Sequence, residues 1–456
     1  MGKRKIWLFV LMLAILVTAI SFAGGRREAE PARLDVGGPV GEWADAVRAN
    51  TRGARITALL AAHPSTSAIL TMIDDFTAKT GIRVDTRILA SVEIRTVQRT
   101  NSSARTGIFD VYMVDAFTIY EFGRAGFLEN LTPRLNDRTQ TPAWFDWDDV
   151  LPAFRDGIST VAGQVFTIPV AGESRFIAYR RDLFARHNRQ VPRTLDELLE
   201  TAHFFNGREP GLHGISFRGM AGTQAGSAHM SLAYCFTDSP IICQRTGQPT
   251  INSPESIQSI QFMLDLARAA PPDIVSFNHE DALASFAQGR VAMWFDATAL
   301  AQNMEDTAIP VVRNNVGYFT VPDGPAGGSG AIAGWGLGIP ACSRNRDAAW
   351  AFIMYMTSRE MALVYNLAGG VPNRISTFND PQILASFPSN RYIFDAIMAA
   401  GDLTRRGITY NYPSVHVLNF MGIIGNQINR AMTGAITATE AANNAQREME
   451  SVLADS

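Results

Sequence analysis

The stretch ITALLAAHPSTSAILTMIDDFTAKTGIRVDTRIL, residues 56–89, predicts the fold class. Its first five residues form a short apolar strand, and from Ile69 apolar residues recur at i, i+3, i+4 and i+7, which marks a helix with one buried face. Gly81 ends that helix, and Ile82–Leu89 follows as a second strand. Strand, helix and strand at this spacing indicate an α/β protein with a parallel sheet covered by helices.

A third apolar strand, Phe109–Val114, extends the same sheet. Sheets of this kind bind ligands in the crevice at the carboxyl ends of their strands. His63 and Asp115 follow two of these strands directly, so their position makes them candidate ligand-binding residues. The alternative for each is a role in shaping a loop or capping a helix.

Length and composition narrow the class of protein. The chain has 456 residues, which is long for one core and indicates two domains. Its 40 Lys and Arg residues and 43 Asp and Glu residues leave a formal charge of −3. A chain this close to neutrality has no overall field that would hold nucleic acid or an anionic membrane surface, so we expect no nucleic-acid partner.

The amino terminus predicts export. Residues 3–5 are Lys-Arg-Lys, residues 6–20 form an apolar run, and Ser21-Phe22-Ala23 supplies the small residues of a cleavage site before Gly24. We therefore interpret residues 1–23 as a signal peptide and expect a periplasmic protein; the alternative is an uncleaved membrane anchor. Residues 24–53 are rich in Gly, Arg, Glu and Ala without an apolar period, which predicts a flexible tether.

No cofactor or metal site is evident from the motifs. The cysteines are Cys235, Cys243 and Cys342, and none has zinc-ligand spacing. Cys235 and Cys243 either close a small disulfide loop or remain thiols. Residues 328–333 fit the dinucleotide pattern G-x-G-x-x-A, but prolines precede them and a strand follows, which is the wrong context for that motif.

Two acidic residues allow two chemistries. Glu173 and Asp296 resemble the carboxylate pair of a glycoside hydrolase, but carboxylates also bind sugar hydroxyls without reacting, because each oxygen accepts hydrogen bonds. The separation of the two carboxylates would decide between these readings, and spacing along the chain does not give it.

Several ordered blocks resemble the family 1 extracellular solute-binding proteins, which serve ABC importers of sugars. The resemblance covers residues 54–453 and is carried by Tyr179–Phe184, Phe286–Met293, Gly334–Pro340, Asn345–Phe352 and Gly370–Arg374. Three further blocks look like those of the sorbitol and mannitol binders, namely Gly172–Phe176, Phe217–Gly219 and Met293–Thr298. The chain departs from that subfamily at Ala221–Gln224, where an additional aromatic residue is expected near the pocket.

The resemblance implies a periplasmic binding protein-like α/β fold, with two lobes around a ligand cleft and three crossings between them. We expect the crossings at residues 170–174, 294–296 and 336–342. The corresponding lobes are residues 54–170 and 296–337 for lobe 1, and residues 174–293 and 341–456 for lobe 2.

This layout places Glu173, Asp296 and Trp335 beside the cleft, and the subfamily blocks add Arg218. Each has a structural alternative: Trp335 as core, Arg218 as a surface ion pair, and the two carboxylates as ties of the hinge. If Asp296 accepts ligand hydroxyls, Asp296→Asn should weaken binding and leave the melting temperature of the ligand-free protein nearly unchanged.

The predicted function is capture of a sugar or polyol by closure of the two lobes, with no chemistry on the ligand. The importer's permease and ATPase subunits are the implied partners, and we expect a monomer without a cofactor. The alternatives are an exported glycoside hydrolase that uses Glu173 and Asp296, and a sensory binding protein that feeds a receptor.

Overall fold

The computed structural model describes residues 39–51, 53–301, 308–329, 331–387, 389–405, 408–412 and 414–455. The strands within these ranges are β1 (Arg55–Ala61), β2 (Arg83–Leu89), β3 (Val111–Asp115), β4 (Thr160–Val161), β5 (Gln164–Val165), β6 (Ile168–Glu173), β7 (Arg175–Arg180), β8 (His213–Ser216), β9 (Val291–Ala297), β10 (Val316–Thr320) and β11 (Ala333–Gly338).

The α-helices of the described ranges follow the same order along the chain. They are α1 (Pro39–Thr51), α2 (Pro64–Thr80), α3 (Ser91–Ser103), α4 (Ile119–Arg124), α5 (Thr132–Asn136), α6 (Pro152–Ile158), α7 (Arg181–Arg186), α8 (Leu195–Phe205), α9 (Thr223–Ala233), α10 (Pro254–Ala267), α11 (His279–Ala287), α12 (Pro310–Arg313), α13 (Arg346–Thr357), α14 (Arg359–Leu367), α15 (Ile375–Phe378), α16 (Pro381–Ser386), α17 (Ser389–Arg405), α18 (Val417–Met432) and α19 (Ala438–Ala454). Short 3₁₀ turns occupy Ala143–Phe145, Trp147–Asp149, Ile274–Ser276 and Thr298–Leu300.

The first sheet has five strands in the order β2-β1-β3-β11-β6. β1 pairs in parallel with β2 and with β3, which confirms the parallel arrangement expected from residues 56–114. β11 runs antiparallel to β3 and to β6, so the sheet is mixed. His63 caps α2 immediately after β1, and Gly81 ends that helix at φ 73°, a conformation that glycine adopts without a steric penalty.

The second sheet has four strands in the order β10-β7-β9-β8. β7 lies at its centre, antiparallel to both β10 and β9, and β8 pairs in parallel with β9. All seven residues of β9 are buried, as expected for a strand covered on both faces. The two sheets and their helices surround separate hydrophobic cores, and these are the two lobes of the fold.

Within the described residues, the chain crosses between the lobes three times. It passes from β6 to β7 through Ser174, as the sequence predicted, and it returns to the first sheet at Ile332–Ala333. The last passage lies between Val371 in the first core and Phe378 in the second. After β9, Ala299 packs in the first core and Ala301 packs again in the second. The chain therefore contacts lobe 1 at this point without joining its sheet. Residues 336–342 are not a crossing, since β11 runs through the first sheet there.

The lobe boundaries differ from those expected in two segments. The sequence predicts residues 296–337 in lobe 1, but β10 within them pairs with β7 of the second sheet. The sequence predicts residues 341–456 in lobe 2, but α13 and α14 contribute Phe352, Met361 and their neighbours to the first core. Apolar periodicity reveals which face of an element is buried, and it does not reveal which sheet covers that face.

The expected tether, residues 24–53, ends in ordered structure. α1 spans Pro39–Thr51 and buries Val40 and Ala44 against α2 and α13, while Trp43 contacts the ring of Trp144 edge to face at 5.6 Å. The apolar pattern of the sequence does not reveal this helix, because the helix buries only two small side chains, Val40 and Ala44. The predicted signal peptide, residues 1–23, lies outside the described residues.

Within the described ranges, no helix is long and apolar enough to cross a membrane. No disulfide joins Cys235 to Cys243; Cys235 is buried, and its Sγ donates to Pro322 O at 4.0 Å. The same part of the chain holds no cluster of three or more His, Cys, Asp or Glu side chains suited to a metal ion.

Candidate functional site

Four of the candidate residues meet at one edge of the first sheet. His63 follows β1 and Asp115 ends β3, and because these strands are parallel, their carboxyl ends share that edge. β11 brings Trp335 opposite Asp115 and Ala333 opposite Glu173. The edge faces the passage from β6 to β7, where lobe 1 gives way to lobe 2.

His63 and Glu173 form a hydrogen-bonded pair across this edge. His63 Nδ1 accepts a hydrogen bond from the backbone N–H of Ser65 at 3.1 Å, so a neutral imidazole carries its proton on Nε2. Nε2 then donates to Glu173 Oε1 at 3.0 Å. Both side chains are mostly buried, and the imidazole centroid lies 6.0 Å from the ring of Trp335. Glu173 Oε2 has no hydrogen-bond partner among the described residues and can accept one from a ligand.

The charge of Glu173 is maintained by its neighbours. Burial raises the pKa of this carboxyl, but the hydrogen bond from His63 and the positive charges of Arg175 and Arg218 outweigh burial and lower it. Glu173 is therefore a carboxylate at neutral pH. It offers hydrogen-bond acceptors and no proton.

Asp115 shapes the loop after β3. Its Oδ1 accepts the backbone N–H groups of Phe117 at 2.8 Å and Thr118 at 3.0 Å, and its Oδ2 accepts Arg95 Nε at 2.5 Å. Asp115 therefore has the contacts of a residue that shapes a loop, which is the structural alternative to a ligand-binding role. His63 likewise caps α2, although its other nitrogen remains at the edge of the sheet.

Lobe 2 contributes a buried charged cluster that consists of Arg175, Arg218 and Asp296. The Asp296 side chain is 0% exposed, and its Oδ1 accepts Arg175 Nη1 at 2.9 Å and Arg218 Nε at 2.8 Å. Arg218 also hydrogen-bonds Asp296 through Nη2, and the N–H of Ala297 adds a further bond to Oδ1 at 2.6 Å. Asp296 is thus occupied by protein donors, which places it behind Arg218 and not in direct reach of a ligand.

The cluster is electrostatically self-consistent. Burial raises the pKa of Asp296, but the charge and hydrogen bonds of Arg218, followed by Arg175, lower it below its ordinary value. Burial disfavours the charged form of Arg218, yet Asp296 and Glu173 raise its pKa overall. Glu173, Asp296 and the two arginines carry two charges of each sign, so the site offers donors and acceptors without a net charge.

Arg218 is the member of the cluster that reaches the surface. Its side chain is 16% exposed, and its Nη1 has no partner among the described residues. By contrast, Arg175 is fully engaged: Nε donates to Ser231 at 3.0 Å, and Nη2 donates to Ser227 at 2.6 Å. Arg175 therefore holds Asp296 from inside the lobe, and Arg218 is the arginine whose guanidinium reaches the surface of the cleft.

The loop that carries Arg218 is fixed by backbone contacts. The N–H groups of Gly219 and Met220 donate to Phe277 O at 3.0 and 2.9 Å. Asn429 Nδ2 then bridges Gly219 O and Val275 O, each at 2.8 Å. A Cβ at Gly219 would lie 2.2 Å from Ile274 O, so only glycine allows this approach.

Three residues beside the site were missed by sequence reasoning. Arg175 lies within the Gly172–Phe176 block, and its place two residues after Glu173 was the available signal. Tyr410 contacts Ser231 at 3.0 Å beside Arg175 but comes from a distant segment with no motif. His279 begins α11, and burial and the charge of Arg218 lower its pKa, which places its imidazole in the field of the cluster.

Trp335 lies between the two roles considered for it. The residue is 7% exposed and belongs to the core of lobe 1, yet it stands at the cleft edge beside His63. Its environment therefore fits a mostly buried aromatic ring that presents one rim.

Known proteins similar to this chain are binding proteins. A mannitol-binding protein of Pseudomonas aeruginosa is 28% identical over 358 residues, which is 74% of this chain and 78% of that protein. An erythritol/L-threitol-binding protein of Mycolicibacterium smegmatis is 24% identical over 378 residues, 78% of this chain and 76% of that protein.

Solved structures share the fold over most of the chain. An ABC transporter solute-binding protein from Agrobacterium vitis with bound D-mannitol matches with a TM-score of 0.77 at 26% identity, covering 88% of this chain and 98% of that one. A solute-binding protein from Agrobacterium radiobacter in complex with ribitol has a TM-score of 0.78 at 23% identity, covering 88% and 99%.

The family model described as bacterial extracellular solute-binding protein matches residues 62–363. This range includes every candidate residue of the site and every strand of the two sheets except β1. The chain belongs to the bacterial extracellular solute-binding protein family.

Proposed function

We propose that this chain is the binding component of an ABC importer and that it captures a neutral polyol in the cleft between its lobes. The charge-balanced cluster of Glu173, Arg175, Arg218 and Asp296 carries this proposal. A ligand without charge needs many directed hydrogen bonds and no counter-ion, and this cluster has that character. The mannitol-binding relative and the mannitol-bound structure support the same ligand class.

Arg218 and Glu173 are the proposed first contacts. Nη1 of Arg218, which has no partner in the described part of the chain, donates to a hydroxyl oxygen. Oε2 of Glu173, likewise without a partner there, accepts a hydroxyl hydrogen. Each contact is charge-assisted, which makes it stronger than a neutral hydrogen bond. Trp335 and His63 complete the wall on the lobe 1 side.

Closure of the lobes delivers the ligand. Contacts to both lobes stabilise the closed form over the open one, and the importer's permease recognises that form. Its ATPase subunit drives transport. The binding protein acts as a monomer without a cofactor.

Export precedes this function. Residues 1–23 direct the chain across the membrane, cleavage occurs before Gly24, and the mature protein works in the periplasm.

A hydrolytic role fits the site poorly. A glycoside hydrolase needs one carboxyl with a raised pKa to donate a proton. Here the pKa values of both Glu173 and Asp296 are lowered, and Asp296 is enclosed by arginine donors. No contact in the site favours a sensory role over transport.

A melting experiment with D-mannitol tests the proposal. Ligand at 100 times its dissociation constant adds about 2.7 kcal/mol to the free energy of unfolding. D-mannitol, erythritol and ribitol are the polyol probes, with maltose and an amino acid mixture as comparisons. A response to amino acids alone would exclude the polyol class.

Arg218→Ala should weaken D-mannitol binding about a hundredfold, because one or two charge-assisted hydrogen bonds are lost. Titration calorimetry measures the affinity, and the melt of the ligand-free protein reports on folding. Arg186→Ala is the control, since Arg186 is 55% exposed and pairs with Glu209 at the surface of lobe 2. Wild-type affinity in Arg218→Ala would remove Arg218 from the site.

Gly219→Ala should weaken D-mannitol binding by about tenfold or more without any loss of a polar group. The added methyl displaces the loop from Ile274 O and takes Arg218 with it. Gly422→Ala in α18 is the matched control, because a Cβ there meets nothing within 4 Å. Equal affinities in the two variants would show that the loop position does not matter for binding.

A further inference from the structure

Arg95 is held at the cleft edge of lobe 1 by an aspartate. It lies in α3, and its Nε donates to Asp115 Oδ2 at 2.5 Å. Asp115 is itself fixed by the backbone N–H groups of Phe117 and Thr118. Three residues further along α3, Gln98 donates to Met113 O at 2.9 Å and fastens the helix to β3. The guanidinium of Arg95 therefore has a defined position.

That position is the edge already described for the candidate site. Asp115 stands opposite Trp335 in the register of β3 and β11, and Trp335 contacts His63. Arg95 thus joins the lobe 1 wall of the cleft. Its side chain is 14% exposed, close to the value for Arg218 on the other lobe.

The two lobes repeat one construction. In each, an aspartate on a central strand of the sheet, Asp115 on β3 or Asp296 on β9, is buried and accepts the Nε of an arginine from another element. Asp115 balances the charge of Arg95, whereas Asp296 and Glu173 together balance Arg218 and Arg175. Each aspartate also orients the guanidinium that it binds. The Nη groups of Arg95 have no partner among the described residues, so this arginine retains donors for a ligand.

The next arginine of α3 shows the contrast. Arg99 forms a bidentate pair with Glu121, with Nε and Nη2 at 2.6 and 2.7 Å from the two carboxylate oxygens. Both edges of that fork are satisfied on the surface, and Arg99 is 38% exposed. Across the described ranges, only Nε of Arg95 has a partner, and its Nη groups remain available.

We propose that Arg95 is a specificity-determining residue of the ligand site, which donates from lobe 1 to hydroxyl oxygens of the polyol while Arg218 donates from lobe 2. This inference rests on the proposed function. A planar fork with two adjacent donors suits a pair of neighbouring hydroxyl oxygens. Because neighbouring carboxylates balance the charges of both arginines, the pair selects an uncharged ligand with hydroxyls at both ends, and it draws the lobes together on that ligand.

Calorimetry of the full chain with D-mannitol tests the inference. Arg95→Ala should weaken binding by about fiftyfold or more, and Arg95→Lys, which keeps the charge and loses the fork, by about tenfold. Arg99→Ala, one turn along the same helix, should stay within about twofold of the wild type. Melts without ligand accompany each titration, and Arg95→Lys replaces Arg95→Ala in the comparison if the alanine variant fails to fold.

The outcomes separate the inference from the function on which it rests. If the wild type does not bind D-mannitol, erythritol or ribitol, the proposed function fails and the role of Arg95 toward a polyol fails with it. If the wild type binds and both Arg95 variants remain within about threefold, the proposed function stands and the inference is overturned. A loss of affinity with an unchanged melting temperature of the ligand-free protein supports a ligand contact, because a purely structural role would lower that melting temperature.

Discussion

Replacing Asp296 with asparagine is expected to destabilise the ligand-free protein by about 3–5 kcal/mol, because the change removes the negative charge from a buried cluster and leaves two arginines behind. Arg175 and Arg218 then face each other across an amide, and the amide's NH₂ group competes with their own donors. From the sequence alone, the melting temperature of the ligand-free Asp296→Asn variant is expected to stay nearly unchanged. Burial of the carboxylate between both arginines reverses that expectation.

Ligand binding should fall with the same substitution. Arg218 loses the carboxylate that orients its guanidinium, so we expect D-mannitol to bind more than about a hundredfold more weakly. Urea unfolding at pH 7 measures the stability and calorimetry the affinity. Asp148→Asn is the control, because Asp148 also pairs with an arginine, Arg155 at 2.8 Å, but its side chain is 92% exposed. This substitution should lower the free energy of unfolding by less than about 1 kcal/mol. An equal, small loss in both variants would mean that the cluster does not hold Asp296.

Acid should weaken the fold through His229. This residue is completely buried in α9, its Nε2 donates to Ser259 Oγ at 2.8 Å, and Nδ1 has no partner among the described residues. Ser259 Oγ itself donates to Ser256 O, so it acts as the acceptor for His229. Burial lowers the pKa of His229 from 6.5 to about 3.

The sign of the effect follows from proton binding. Below pH 6.5 the unfolded chain takes up a proton at His229 and the folded chain does not, so stability is complete above pH 6.5 and falls as the pH drops towards about 3. The loss is about 1.4 kcal/mol per pH unit, or about 2 kcal/mol between pH 7.5 and pH 5. Carboxyl groups with lowered pKa values, such as those of Glu173 and Asp296, add losses mainly below about pH 5.

Comparison of variants isolates this contribution. His229→Gln should lose less stability than the wild type between pH 7.5 and pH 5 by about 2 kcal/mol, although it starts from a lower value at pH 7.5. His213 and His279 also have lowered pKa values and remain in every variant, so their contributions cancel. Parallel curves for His229→Gln and the wild type would contradict a neutral buried imidazole.

Much of the local structure could be read from the sequence. The three parallel strands near the amino terminus and the end of α2 at Gly81 depend on neighbouring residues, and the structure has each of them. Glu173 at the first crossing was also predicted. The lobe to which an element belongs was harder to predict, because the apolar periodicity of β10 and α13 would fit either core.

The sequence by itself determined the elements, the family resemblance and the strand ends where a ligand could bind, because these depend on patterns within a few residues or on short ordered motifs. Only the tertiary structure decided the roles of the polar groups. Asp296 lies 121 residues from Arg175 and 78 from Arg218, and sheet register and a fixed loop bring the three together. A carboxylate enclosed by two arginines orients donors, whereas the same carboxylate in open solvent would accept a ligand itself, and this difference depends on burial and distance.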